Sequence, residues 1–382
     1  MDRLSPFLKV WRFARLYGVG RTWFKVVGRR RSVAWLGLPD FRHVRKDIGV
    51  IGCGQFAFAT LGYVIKKHFG YRFSICFDTD AGNSASLARF LRVPKIAATA
   101  AEVIGSEATR VVYIMSNHAS HADYAIESLR SGTATFVEKP VSVTRKQFAG
   151  LCHAIRKSKA PVYAGYNRPF SRAIVGLKEA ASDQTGPLSL NCFVVGHRIP
   201  EDHWYRHPEE GTRICGNVGH WLDLAVHMLS WEALPDRWKV SIAYSSDVDR
   251  DDNLAISLVS ESGDLIVIVL ASRSEPFEGI NETIMFQKGS VAAKIDDFRS
   301  MTVWKGDSAR THRYWPKDVG HEAALLQPFS GRGREWREVE LSTLLMLFIT
   351  DMVIDGRDRA DFSFNREWAR IEASGPVAGQ KS

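Results

Sequence analysis

The chain has 382 residues, 51 Lys plus Arg against 42 Asp plus Glu, 45% hydrophobic and 24% charged side chains. That composition builds a core without disulfide staples, excludes intrinsic disorder for most of the length, and suits two or three domains. The formal charge of +9 is concentrated in residues 1–46, with 12 Lys/Arg and two acids, Asp2 and Asp40; the remainder carries 39 basic and 40 acidic side chains, which removes the electrostatic case for nucleic-acid binding by the main body.

The basic segment comes first. Phe7, Val10, Phe13, Ala14 and Tyr17 follow helical spacing, with Lys9, Arg12 and Arg15 off that face. A second stretch places Arg21, Lys25 and Arg29 at i, i+4 around Trp23, Val26 and Val27. Basic and aromatic residues without acids suit an anionic membrane surface or a polyanionic partner. The same pattern suits an arm that packs its apolar side on its own body or on a neighbouring subunit. Lys9, Arg12 and Arg15 interrupt any apolar run, which reads against a secretory signal.

From Asp47 short apolar strands alternate with helical stretches, the pattern of a parallel sheet with crossover helices. Strands are expected at Asp47–Cys53, Arg72–Phe77, Arg110–Met115, Thr133–Val137 and Pro161–Ala164, with helices at Phe56–Phe69, Asn83–Leu91, His121–Leu129 and Thr144–Lys157. This is one doubly wound α/β domain over residues 47–165. A second domain follows over 166–365. It has helices near Arg172–Ala181 and Asn217–Leu229 and strands at Leu188–His197, Trp238–Ser245, Leu254–Ser260, Leu265–Ser272, Glu282–Gln287, Ser290–Ile295 and Met301–Trp304. Short turns at Ser262–Asp264 and Lys288–Gly289 force antiparallel pairing, because parallel neighbours need a long crossover. Residues 366–382 read as a tail that frays at its small, polar end.

Five widely spaced cysteines, Cys53, Cys76, Cys152, Cys192 and Cys215, point to a reducing cytoplasm rather than a disulfide framework. The best apolar run, Leu341–Ile354, is cut by Asp351 and reads as a core helix rather than a membrane span. His203 and His207 lie near Glu209 and Glu210, but no HExxH is present, so no metal site is expected.

Chemistry enters with Gly52-Cys53-Gly54-Gln55-Phe56-Ala57, a G-x-G-x-x-A between an expected strand and an expected helix. Gly52 permits the tight turn, Gly54 lets backbone approach a pyrophosphate, and Ala57 allows close helix–strand packing. The helix N-terminus offers its N–H groups to the phosphates. Asp78, 24 residues after Gly54, stands where a carboxylate accepts hydrogen bonds from an adenosine ribose and repels a 2′-phosphate, which favours NAD over NADP; Asp80 is the alternative. Glu138-Lys139-Pro140 ends a parallel strand, at the edge where ligands sit in such sheets. A lysine there can stabilise alkoxide-like charge.

GCGQFA, SNHASH (116–121), VEKPVSVT (137–144), GYNRPFS (165–171) and GNVGHWLD (216–223), in this order, resemble the Gfo/Idh/MocA family of NAD(P)-dependent sugar oxidoreductases over roughly residues 47–365. The resemblance implies a Rossmann domain followed by an α+β domain with an open, mostly antiparallel sheet that commonly forms homo-oligomers. It implies Lys139 beside the reacting carbon and His220 as the group that exchanges the hydroxyl proton. It further implies Gly52, Gly54, Gln55, Phe56, Asp78, Ser116, His121 and Glu138 at the cofactor and Asn167, Arg168, Asn217 and Asp223 at the substrate. His220 also suits the task by type, since a general base for alcohol oxidation should titrate near neutral pH. Gly216 and Gly219 would let a substrate approach closely.

One position departs from the pattern. Many family members carry an aspartate four residues before the histidine, and Gly216 stands there. Asn217 can take over substrate binding, which resembles variants linked to surface-polysaccharide genes. Two functions follow: an NAD-dependent dehydrogenase or reductase of a sugar or nucleotide-linked sugar, cytoplasmic with a possible peripheral membrane contact through residues 1–46, or a nucleotide-binding partner protein with impaired catalysis.

Overall fold

The computed structural model describes residues 6–37, 40, 42–273, 279–331 and 333–373. Two compact units emerge, one formed by Met1–Ser142, Gln147–Gly165 and His321–Arg334, the other by Val143–Lys146, Tyr166–Gly320 and Glu335–Ser382.

Among the described residues, the first unit holds six strands: β1 (Ile48–Ile51), β2 (Phe73–Phe77), β3 (Lys95–Ile96), β4 (Val111–Ile114), β5 (Ala134–Val137) and β6 (Val162–Ala164). They pair in parallel in the order β3-β2-β1-β4-β5-β6, the doubly wound order of a Rossmann sheet. β1 and β4 are buried at every position, as central parallel strands must be. The order reverses between β1 and β4, so the crevice outside their C-terminal ends is the place for a nucleotide. β3 is two exposed residues and carries no strand signal in the sequence.

Its helices include α1 (Pro6–Tyr17), α2 (Val19–Arg29), α3 (Gly62–Phe69), α4 (Ala81–Leu91), α5 (Ala100–Ile104), α6 (His121–Arg130) and α7 (Arg145–Lys157). A π turn, Ala57–Leu61, wholly buried, opens the helix expected from Phe56 and runs into α3. The sequence reading ends an arm at residue 46; in the structure the segment is part of the nucleotide unit. α2 buries Thr22, Phe24, Val27 and Gly28, and the Phe24 ring meets Phe90 edge-on at 4.9 Å. Burying that aromatic face offsets the cost of ordering the helix. Residues 321–334, which the sequence reading assigns to the second domain, also belong here. Tyr113 Oη donates to the Leu325 carbonyl at 2.6 Å and Gln327 Nε2 to Ala164 at 3.0 Å, contacts between residues too distant in sequence to leave a local pattern.

Among the described residues, the second unit is built on nine strands: β7 (Leu188–Val195), β8 (Arg237–Tyr244), β9 (Leu254–Ser260), β10 (Leu265–Ala271), β11 (Asn281–Lys288), β12 (Val291–Asp296), β13 (Ser300–Lys305), β14 (Ser308–Arg313) and β15 (Arg359–Ser363). The order is β14-β13-β12-β11-β7-β10-β9-β8-β15. Among the described residues, only β7 and β10 pair in parallel; the other neighbours are antiparallel, the expected class. β7 alternates buried and exposed residues, one face packed and one open. β14 is exposed throughout and β15 buries only Phe362, which explains why neither shows a period-2 signal.

Its helices are α8 (Arg172–Ala180), α9 (Gly219–Leu229), α12 (Trp336–Asp355) and α13 (Phe364–Ala373); the short α10 (His321–Leu325) and α11 (Gln327–Ser330) lie in the first unit. Every residue of α9 is buried, as it packs on β7 and on α12. The expected tail begins inside α13, which buries Glu367 and Ile371; residues 374–382 lie outside the described residues.

Candidate active site

The glycine loop leaves β1 with Gly52 at φ +88°, and a Cβ there would lie 2.5 Å from the Met115 carbonyl carbon and the Ser116 nitrogen. Only glycine fits. A Cβ on Gly54 would meet nothing within 4 Å, so the loop keeps open space on that side, as a cradle for a pyrophosphate requires. Asp78 is tied to the same loop. Its Oδ2 accepts the Cys53 N–H at 2.6 Å and its Oδ1 the Asp80 N–H at 2.8 Å. Each carboxylate oxygen has a second lone pair for a ribose hydroxyl. Asp80 instead caps α4, its Oδ1 accepting the N–H groups of Gly82 at 2.7 Å and Asn83 at 3.1 Å. This division of labour separates two acids that the sequence left as alternatives. Gln55 reaches back to the Lys25 carbonyl at 3.3 Å, and the Phe56 ring lies 5.6 Å from that of His321.

His121 is wholly buried, with Nδ1 2.8 Å from the Pro140 carbonyl and Nε2 3.0 Å from the Ser116 carbonyl. Burial pushes its pKa down to about 4, so the ring is neutral near pH 7 and donates one N–H. Both ring nitrogens of His121, expected at the cofactor, brace the loops after β4 and β5. Ser116 supplies one of those carbonyls, and its Oγ accepts from Ser120 at 2.7 Å. Glu138 packs so tightly on Gly165 that a Cβ there would lie 2.2 Å from its Oε2; desolvation pushes the carboxyl up to about 8, opposed by the charge of Lys139. Gly165 is therefore small because Glu138 needs its space. The Lys139 side chain, next along the strand end, is half-buried.

In the second unit, His220 opens α9, its ring edge-on to Tyr166 at 6.2 Å and to Trp221 at 6.0 Å. Asn217 lies in the preceding π turn, Ile214–Val218, and its Oδ1 accepts from Arg213 Nε at 3.2 Å. Three residues expected at the substrate make hydrogen bonds within the second unit. Arg168 forms a bidentate pair with Glu282 at 2.8 and 3.0 Å; Trp221 Nε1 donates to that carboxylate at 2.7 Å and its ring lies 4.2 Å from the guanidinium, a closed buried network. Asn167 is 1% exposed and donates to the Val319 carbonyl, holding a turn that Gly320 completes at φ +87°. Asp223 is buried between helices and accepts from Ser342 Oγ at 2.9 Å.

The two glycines before His220 do not open space for a ligand. A Cβ on Gly219 would lie 2.9 Å from Met346 Sδ, and one on Gly216 only 2.3 Å from Tyr205 Cε1. Tyr205 Oη donates to the Gly216 carbonyl at 3.1 Å. Sequence reasoning missed Tyr205, although the missing acid at position 216 was its signal. The segment is pinned by Arg213, 1% exposed, which donates to Asp252 at 2.8 Å, Ser272 Oγ at 2.6 Å and the His197 carbonyl at 2.8 Å.

Residues 46–166 match the family model described as an oxidoreductase family with an NAD-binding Rossmann fold, Gfo/Idh/MocA. Residues 46–166 are thus similar to the NAD-binding Rossmann domain of that family. The chain is 26% identical over 164 residues to an inositol 2-dehydrogenase of Burkholderia cenocepacia (strain HI2424), covering 41% of this chain and 49% of that one. It is 21% identical over 251 residues to the scyllo-inositol 2-dehydrogenase (NAD(+)) of Bacillus subtilis (strain 168), covering 63% and 73%. The chain spans about half the length of most of the curated relatives it matches. In fold it resembles a levoglucosan dehydrogenase solved with NADH and levoglucosan (TM-score 0.68, 14% identity, 83% of this chain and 99% of that one). It also resembles a putative myo-inositol dehydrogenase from Sinorhizobium meliloti 1021 (TM-score 0.66, 17% identity, 84% and 100%).

Proposed function

We propose that the protein is an NAD-dependent oxidoreductase that transfers a hydride between nicotinamide and a hydroxyl-bearing or keto carbon of a sugar or nucleotide-linked sugar. The observation that carries this reading is the glycine loop tied to Asp78 at the end of β2, in a sheet of Rossmann order. Gly52, Gly54 and Asp78 would hold the dinucleotide, whose nicotinamide supplies the hydride acceptor. Lys139 donates to the substrate oxygen and stabilises the negative charge that develops on it. His220 accepts the hydroxyl proton in oxidation and returns it in reduction. Asn217 contributes to substrate binding. The inositol and levoglucosan dehydrogenases among the similar proteins support a polyhydroxylated ring as substrate.

The test is NADH-linked turnover across a panel of sugars and inositols. Lys139→Ala and His220→Ala should each lower it by roughly 10²- to 10⁴-fold while NADH binding survives; full turnover in both variants would refute the assignment. Gly216 in place of the usual acid favours a second reading, a catalytically impaired nucleotide-binding partner, which predicts NADH binding with no turnover on any member of the panel.

The open face of the nine-stranded sheet exposes Phe193, Val259, Leu265, Met285 and Trp304, which supports a homo-oligomer formed through that face. Light scattering on the purified protein decides it. α1 exposes Phe7, Leu8, Val10 and Trp11 beside Lys9, Arg12 and Arg15, which supports a peripheral contact with anionic lipid. Equal flotation with anionic and neutral vesicles would sink that contact. Among the described residues, no helix is long and apolar enough to cross a membrane.

A further inference from the structure

The family match begins at residue 46, yet an arginine from the preceding segment reaches the glycine loop. Arg31 lies two residues beyond the end of α2, and its guanidinium donates through Nε and both Nη atoms. Nη2 donates to the Cys53 carbonyl at 2.9 Å; Nη1 donates to Ser86 Oγ at 3.0 Å and the Asn83 carbonyl at 3.4 Å, both on α4; Nε donates to the Gly28 carbonyl at 2.9 Å. The cation lies 4.5 Å from the Phe58 ring centre, and Asp78 and Asp80 are the acids in its field. One planar group thus joins the N-terminal helix, the second residue of the glycine loop and the first turns of α4. A fork of fixed geometry can make such a three-way tie, and an ammonium cannot. The approach is close: a Cβ on Gly28 would lie 3.0 Å from Gln55 Oε1 and from Phe58 Cδ1.

We infer that Arg31 is a positioning residue of the dinucleotide site, holding the Cys53 carbonyl and the start of α4 in place for the adenosine ribose and setting a positive charge against Asp78 and Asp80. The segment before residue 46 is then a working part of the cofactor site. The inference rests on the NAD reading above. It explains why a basic stretch outside the family pattern is packed here: losing it loosens the loop whose N–H groups face the phosphates, and unmasks two acids where the cofactor brings further negative charge.

The test uses full-length protein, NADH fluorescence titration and displacement of NADH by ADP-ribose. Arg31→Met should weaken NADH and ADP-ribose by a common factor of about tenfold, and Arg31→Lys by less, since it keeps the charge but not the fork. NADPH should lose more than NADH, because its 2′-phosphate adds charge beside Asp78 and Asp80; a merely structural loosening would lower both equally. Melting of the ligand-free protein should shift by no more than about 2 °C, which separates loss of a site from loss of the fold; if Arg31→Met fails to fold, Arg31→Lys carries the comparison. NADH and NADPH affinities within about twofold of wild type in the variants, a difference far below that of a lost charged hydrogen bond, overturn the role of Arg31. Wild-type protein that does not titrate with NADH overturns the NAD reading itself.

Discussion

The ring of Tyr205 occupies the volume that any side chain at Gly216 would need, its Cε1 2.3 Å and its Oη 2.9 Å from where a Cβ would stand. The position four residues before His220 thus carries no side chain of its own, and a phenol from the loop before it fills the space. Its hydroxyl can both donate and accept.

The pair should behave as one unit under mutation. Gly216→Asp alone should destabilise by about 1–3 kcal/mol through overpacking against the ring. Adding Tyr205→Ala should return a good part of that loss, giving a non-zero coupling in a double-mutant cycle read by urea unfolding. Additive effects would show that the ring yields to a side chain without cost.

Gly52 and Gly54 are two residues apart and should fail in different ways. Gly52→Ala forces a Cβ into the Met115–Ser116 backbone at φ +88° and should cost stability by roughly 1–3 kcal/mol. Gly54→Ala meets no protein atom within 4 Å and should leave the ligand-free melting temperature unchanged while weakening NADH. Calorimetry paired with fluorescence titration checks both.

Glu138 and His121 set opposite pH slopes. Glu138 titrates near 8 in the fold against an ordinary 4.5, so its contribution is complete below about pH 4.5 and is lost as pH rises through 8. His121 titrates near 4 against an ordinary 6.5, so its contribution is complete above pH 6.5 and is lost as pH falls through 4. Glu138→Gln should flatten the alkaline side of a melting-temperature profile and leave the acid side in place. An unchanged alkaline slope would remove Glu138 as its source.

Arg168 and Glu282 are each less than 5% exposed and hold one another in the core of the second unit. Breaking the pair from one side by Arg168→Met leaves a buried carboxylate and should cost about 3–5 kcal/mol of stability in chemical denaturation. A small effect, with altered kinetics instead, would return Arg168 to the substrate.

The sequence by itself determined what local chemistry can encode. The strand–glycine–helix run at 48–69 declares a phosphate-binding turn because Gly52 and Gly54 are needed wherever backbone must come that close. Asp78 and Glu138-Lys139 are legible because they end strands, and apolar alternation exposed most of the second sheet. What tertiary structure alone decided are contacts between residues far apart in the chain. Arg168, Asn167 and Asp223 look like ligands in a motif, yet Glu282, Val319 and Ser342 claim them from more than a hundred residues away. The basic start reads as an arm until Phe24 and Val27 are seen in the core and Arg31 on the Cys53 carbonyl. Hydrogen-bonding capacity is written in residue type; which partner spends it depends on the distances that the fold imposes.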